Sequence, residues 1–348
     1  MKERIYFCDN LKFILIILVV IGHFLVYSQD YQFSKALFIF IYSFHMPLFV
    51  FITGYLSKRL TNKDGSFRLN RVVSFFSIYF IFEMLVFIIS RFILNQDVKF
   101  SFFDEGECPW YLLALGIWLM MTFLFQKIKP KYLLIFSVFV GLIVGYDDWV
   151  GTVLSLSRIL VFYPFFLLGF YINKKQMLDI IDKTHSKKNI IFSTILLLIV
   201  FLIIYVFANN LEFLKPILTN KNPYSYFNLP YVFPLSALFT RLFVYIFALL
   251  LSILVISIVP KGKHFFTKFG TRTLAVYVLH FLIVLLYFGS PYSTLLAEKL
   301  GAYVQIIYIV CPIILSFVLS IKCFSTLFDK IISLKHKKIY VGGDNDER

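Results

Sequence analysis

The sequence predicts an all-α fold: a polytopic transmembrane helix bundle of about ten spans, with both termini on the cytoplasmic side. Three observations carry this expectation. The 348 residues are 60% hydrophobic and 15% charged, with a mean hydropathy of +0.83, far more apolar than a soluble chain of this length needs for its core. Apolar runs long enough to cross roughly 30 Å of hydrocarbon at about 1.5 Å per residue recur about ten times. Lys and Arg collect in alternate connections, as cytoplasmic loops do.

Taken in order, span one lies near 11–28, behind the start "MKERIYFCDNLK". No small-residue cleavage site follows its apolar stretch, so it reads as retained rather than as a signal peptide. Span two, near 35–57, leads into an inner loop with Lys58, Arg59, Lys63, Arg68 and Arg71. Span three, near 72–95, ends before the acidic cluster Asp104, Glu105 and Glu107, and span four, near 109–126, returns to Lys127, Lys129 and Lys131. Span five, near 131–146, is short and reaches Asp147 and Asp148; span six, near 156–173, meets Lys174, Lys175, Lys183, Lys187 and Lys188. Spans seven and eight, near 188–208 and 234–260, flank an outer loop and end at Lys261, Lys263, Lys268 and Arg272. Spans nine and ten, near 271–288 and 302–324, complete the set. An odd number of spans would scramble the charge segregation.

Residues 1–330 therefore read as a single transmembrane domain, and 331–348 as a cytoplasmic tail, basic and then acidic. The net charge of +15 follows from topology. It points to contact with anionic membrane lipid and not to nucleic-acid binding. No loop is long enough for a soluble catalytic module. Cys8, Cys108, Cys311 and Cys323 show no paired spacing, which argues against a disulfide framework and a metal site.

Ionisable side chains at membrane depth are costly and mark functional sites. At about 1.5 Å per residue, His23 lies about 18 Å up span one, His45 about 15 Å down span two, Glu83 about 17 Å up span three and His280 about 14 Å up span nine. Four such groups on four helices converge on one layer. Each histidine taken alone could simply donate to a backbone carbonyl of a neighbouring helix. Arg91 and Arg158 fall near outer ends, within reach of headgroups, whereas Arg241 sits inside span eight and calls for a polar cavity or an anion. Trp110 and Tyr111 mark the outer entry of span four, where an interfacial belt or a sugar-stacking surface would both place aromatic rings.

"DNLKFILIILVVIGHF" in span one and "FHMPLFVFITGYL" in span two resemble the opening signature of the membrane acyltransferase 3 family, in its sugar O-acetylating branch similar to fucose 4-O-acetylase. "PWYLLALGIW", "LSRILVFYPFFLLGFYI" and "GTRTLAVYVLH" extend the resemblance over nearly the whole chain. Lys12 stands where the family usually carries an arginine, which keeps the charge and loses the planar fork; Arg4 is close enough in sequence to share its role. "FRLNR" matches the family's Arg-x-x-Arg, so the resemblance implies that Arg68 and Arg71 help hold the acyl-CoA donor. The residues alone would assign them to positive-inside topology.

The resemblance implies an O-acyltransferase of the cell inner membrane that moves an acetyl group from acetyl-CoA to a glycan or a lipid-linked sugar, such as a surface polysaccharide or its precursor. A homo-oligomer is compatible with it. The chemistry needs a base for the acceptor hydroxyl, and a histidine, His23, suits that work near neutral pH. Glu83 could orient His23, or could be a protonated carboxyl bonded within the bundle. Lys12 would assist at the reacting centre. His45 and His280 would polarise the carbonyl or line the donor channel, and Arg158, Arg241, Trp110 and Tyr111 would meet the acceptor. A proton-coupled transporter or flippase of a glycan or organic anion also uses buried His and Glu, although no internal repeat of the kind common in transporters is present.

Topology is directly testable. Cysteines introduced at Ser66 and Lys183 should label from the cytoplasm and one at Asp104 from the opposite side. Labelling of Ser66 and Asp104 from one face would break the ten-span arrangement.

Overall fold

A computed structural model describes residues 5–100, 109–150, 153–226 and 235–333. Lys2, Arg4, the acidic cluster at Asp104, Glu105 and Glu107, Cys108 and the tail after residue 333 lie outside the described residues. Within them the chain is helical, with an antiparallel bridge between Thr61 and Phe67 and no strand among the described residues. The helices are α1 (Tyr6–Leu25), α2 (Gln32–Tyr42), α3 (His45–Leu56), α4 (Leu69–Ile88), α5 (Trp110–Leu124), α6 (Pro130–Ile143), α7 (Leu156–Tyr171) and α8 (Lys174–Thr184). They continue as α9 (Lys187–Val206), α10 (Leu214–Thr219), α11 (Ser236–Ile258), α12 (Thr273–Phe288), α13 (Pro291–Leu300), α14 (Val304–Leu319) and α15 (Lys322–Ser333).

Every apolar run read from the sequence forms helix, and the chain is an all-α polytopic membrane bundle. Six stretches are long and apolar enough to cross a membrane: Tyr6–Ser28, Gln32–Leu56, Leu69–Ile93, Lys187–Val206, Ser236–Ile258 and Pro291–Leu319. α7 makes a seventh if joined to α8, and Trp110–Leu124, Pro130–Tyr146 and Thr273–Phe288 are shorter apolar helices. Span ten begins earlier than expected, because Pro291 starts α13 and the stretch runs on into α14.

Two departures from straight spans have local causes. α7 and α8 meet at 98°, so α8 turns out of the span direction. Asn173 caps the new helix: its side chain accepts from the Gln176 N–H at 2.9 Å, while the Asn173 N–H donates to Gln176 Oε1 at 2.8 Å. Such a reciprocal cap satisfies two otherwise orphaned donors. Span two is interrupted between α2 and α3. Pro47, in the first turn of α3, has no N–H and its ring opposes the carbonyl four residues back, which favours the start of a new helix at this point.

α1 is the centre of the bundle. It buries side chains all round its axis and packs against α2, α3, α12, α14 and the turn Thr267–Thr271. Asn10 ties it to the α11–α12 connection: Nδ2 donates to the carbonyls of Pro260 and Gly262 at 2.9 and 2.8 Å, and Oδ1 accepts from Thr267 Oγ1 at 2.6 Å. α3 and α7 make the most intimate crossing. Gly54 on α3 lies against the Phe166 carbonyl, and Gly169 on α7 lies against the Phe51 carbonyl. Hydrocarbon offers no hydrophobic drive for helices to associate, so close backbone contact across small residues supplies the attraction.

A β-carbon at either glycine would strike the partner backbone, which cannot rotate away as a side chain can. Gly54→Ala and Gly169→Ala should each cost about 1–3 kcal/mol or more, the range of overpacked cores. The readout is the melting temperature of detergent-purified protein. Gly262→Ala, with no neighbour near its added methyl, should leave that temperature unchanged.

Candidate active site

The face of α1 carrying Val19, His23 and, one turn on, Val26 forms one wall of a chamber of about 230 Å³. His23 is half-buried there. The break in span two puts His45 on the chamber wall at the start of α3, and α2 adds Tyr42, whose ring centroid is 4.7 Å from that of His45. His45 Nδ1 lies 2.8 Å from the Ile41 carbonyl oxygen, which also accepts the Phe44 N–H at 3.2 Å. Irregular backbone at membrane depth is tolerated where it lines a cavity, and here it does. On α12 the fully buried His280 (0% exposed) holds Nδ1 2.8 Å from the Val276 carbonyl, and its ring centroid lies 5.1 Å from that of His23. A carbonyl only accepts, so in both His45 and His280 Nδ1 carries the hydrogen and Nε2 is left as the acceptor.

Cations and aromatic rings close the rest of the chamber. Arg158 is 5% exposed and does not extend to the headgroups. Its Nε donates to the Thr219 carbonyl at 3.3 Å, and its guanidinium sits 5.2 Å from the centre of the Trp110 ring. Trp110 in turn stacks on Phe162 at 5.5 Å and lines the chamber. Lys221 lines the same wall, and among the described residues no Asp or Glu does. Arg91, by contrast, is exposed and pairs with Asp97 at 3.1 Å.

Two further cavities lie towards the basic end of the bundle. A cavity of about 220 Å³ is lined by Lys12, Thr53, Arg71, Tyr111 and Tyr277. Tyr277 borders this cavity and the histidine chamber alike, so the two share a wall. Tyr111 stands beside it: its N–H donates to Tyr277 Oη at 3.2 Å and its hydroxyl to Thr53 Oγ1 at 2.5 Å. Beyond Arg71 and Leu56 opens a cleft of about 800 Å³ with Lys58, Arg59, Arg68 and Lys174 on its sides. Burial at its edge holds the Lys58 ammonium below the ordinary lysine range, and Lys58 Nζ donates to the Ile172 carbonyl. Arg71 reaches Ser57 Oγ at 3.4 Å. Lys12 is paired with Asp9 at 3.3 Å, and Asp9 lines the cleft.

The tertiary structure thus gathers His23, His45, Arg158 and Trp110 in one chamber, puts His280 beside His23, and joins Lys12, Tyr111, Arg71 and Arg68 along the approach. Two expected residues lie elsewhere. Glu83 is on α4, which packs on α5, α12 and α15; it is not on the chamber wall, and among the described residues no hydrogen bond or ion pair joins it to His23. Arg241 is fully buried away from the chamber, donating to the Gly141 carbonyl at 3.2 Å and lying 4.4 Å from the centre of the Tyr224 ring. Its burial is explained by helix-to-helix bonds. Tyr277 and Lys221 did not stand out in the sequence. Tyr277 precedes His280 by three positions and so shares its helix face, a spacing that could have found it; Lys221 is indistinguishable from any loop lysine.

Neither a curated protein nor a solved structure matches the chain. A family profile described as an acyltransferase domain matches residues 5–321, which takes in every helix that builds the three cavities. The motifs around His23, His45, Arg68 and Arg71 and the match over residues 5–321 agree, and the chain belongs to the acyltransferase 3 family of membrane acyltransferases.

Proposed function

We propose that this acyltransferase resides in the cell inner membrane and transfers an acetyl group from acetyl-CoA to a hydroxyl of a cell-surface polysaccharide or its lipid-linked precursor, with His23 as general base. One observation carries the reading: a strongly basic cleft leads, through cavities that share Arg71 and then Tyr277, to a chamber walled by histidines. Arg68, Arg71, Lys58, Arg59 and Lys174 suit the phosphates of a nucleotide donor, since guanidinium forks bind phosphate oxygens in pairs. Lys12 and Thr53 flank the narrower stretch that the donor's acyl arm would follow. The chamber's opposite wall, with Trp110, Arg158 and Lys221, offers a ring for sugar stacking and positive charge for an acceptor.

In this scheme a ring nitrogen of His23 takes the proton of the acceptor hydroxyl as its oxygen attacks the thioester carbonyl carbon. The carbon–sulfur bond breaks, and the departing thiolate recovers the proton from the His23 imidazolium. His45, across the chamber, carries its free Nε2 as an acceptor and so helps hold the acceptor hydroxyl rather than donate to the carbonyl oxygen. Arg158, which lines the same chamber as His23, is the cation better placed for the carbonyl charge.

Purified protein given labelled acetyl-CoA and membrane extract should yield acetylated acceptor. His23→Gln keeps a hydrogen-bonding side chain without the basicity and should lower turnover by about 10²–10⁴, the usual contribution of positioned proton transfer. Near wild-type turnover in His23→Gln would refute the base assignment, and substrate movement without acyl transfer would make the protein a carrier. Replacing Arg68 and Arg71 together by Ala should raise the acetyl-CoA KM strongly and leave acceptor affinity nearly unchanged. Equal loss for both substrates, or wrong insertion, would return these arginines to a purely topological role.

A further inference from the structure

We infer that His280 is a positioning residue that sets the tautomer of His23, an inference that rests on the reading of His23 as the base. His280 Nδ1–H is committed to the Val276 carbonyl, so Nε2 bears a lone pair. That nitrogen is buried and has no hydrogen-bond partner among the described residues. A buried acceptor without a donor is costly, and native structures rarely keep one without a use for it. The group beside it is the His23 ring, tilted at 58° with centroids 5.1 Å apart. Facing nitrogens of two imidazoles at that separation are about 3 Å apart, within hydrogen-bond range.

The neighbourhood restricts what else can fill this role. Phe281 stands edge-on to His23 at 5.7 Å and is itself backed by Phe82, 6.2 Å from the Phe281 ring, so the flank of the His23 ring is apolar. Tyr277 packs against His280 with centroids 6.1 Å apart, and its hydroxyl, which accepts the Tyr111 N–H, makes no bond to His280 Nε2. A turn of the His23 ring brings one of its N–H groups onto His280 Nε2. The other His23 nitrogen is then unprotonated and directed to the chamber, as a general base requires. When His23 takes up the hydroxyl proton, the same N–H···N bond holds the imidazolium in place. The orienting acceptor is thus a second histidine, fixed by its own backbone bond, where a carboxylate does this work in the familiar triads.

The test is chemical modification of the full-length protein in detergent with diethyl pyrocarbonate, which acylates unprotonated imidazole nitrogens. Peptide mapping gives the rate at His23 relative to His45, which lines the same chamber and serves as internal reference. His280→Leu should lower that ratio by at least about tenfold and lower kcat while leaving the acetyl-CoA KM unchanged. His280→Met, unbranched and more adaptable, should behave like Leu. His280→Gln restores an acceptor oxygen and should bring back both the labelling ratio and most of kcat. An unchanged ratio in the Leu and Met variants, or a Gln variant as impaired as they are, would overturn the inference. The two readings fail separately: labelling that follows the acceptor at 280 while His23→Gln still turns over removes the base and keeps the positioning, and the reverse result removes the positioning alone.

Discussion

The distance between α3 and α7 governs the site. Gly54 and Gly169 let these two backbones touch, each glycine accepting the partner's carbonyl where a β-carbon would stand. The crossing fixes His45, at the start of α3, relative to Arg158, in the first turn of α7, and with them the width of the chamber facing His23. A wider crossing would let hydrocarbon or water fill the gap between His45 and Arg158. Because packing is what drives association in the bilayer, the same contact that shapes the chamber also holds the bundle together.

Around that crossing, polar groups are treated in two ways. Those with structural work tie elements together: Asn10 uses both amide ends to join α1 to the α11–α12 connection, and Arg241 donates to the Gly141 carbonyl and lies against the Tyr224 ring. Gly145 leaves the room that Tyr224 and Arg241 fill, so this buried charge is built into the helix packing. Two of the site histidines are bonded at one nitrogen only. His45 and His280 each hold a backbone carbonyl with Nδ1 and keep Nε2 available, which is the state in which an imidazole can take part in chemistry.

Charge is graded along the approach. Five of the basic side chains that positive-inside topology requires, among them Arg68 and Arg71, converge on one cleft, so residues that orient the protein in the membrane also make an anion-binding mouth. Further in, Lys12 is tempered by Asp9, and the tyrosines at 111 and 277 separate the approach from the histidine chamber. Low dielectric makes each of these charges count for more than it would at a soluble surface.

Which segments form helices, and how deep His23, His45 and His280 lie, was determined by the sequence alone. Apolar length is a local property, and rise per residue converts position in a run into depth. The family motifs likewise pointed to His23, Arg68 and Arg71 before any fold was known. Azimuth was decided only by the tertiary structure. In a bundle whose core and whose lipid surface are both apolar, a helix carries little sequence record of which side faces inward. Glu83 has the right depth and the wrong helix face, whereas His280, at the same depth, meets His23 ring to ring. Arg158 reads as an arginine near an outer span end and Arg241 as the one calling for a cavity, yet Arg158 lines the chamber and Arg241 is bonded between helices. The breaks that shape the site, before His45 and after Tyr171, depend on a proline and a capping asparagine whose effect on direction appears only once neighbouring helices are in place.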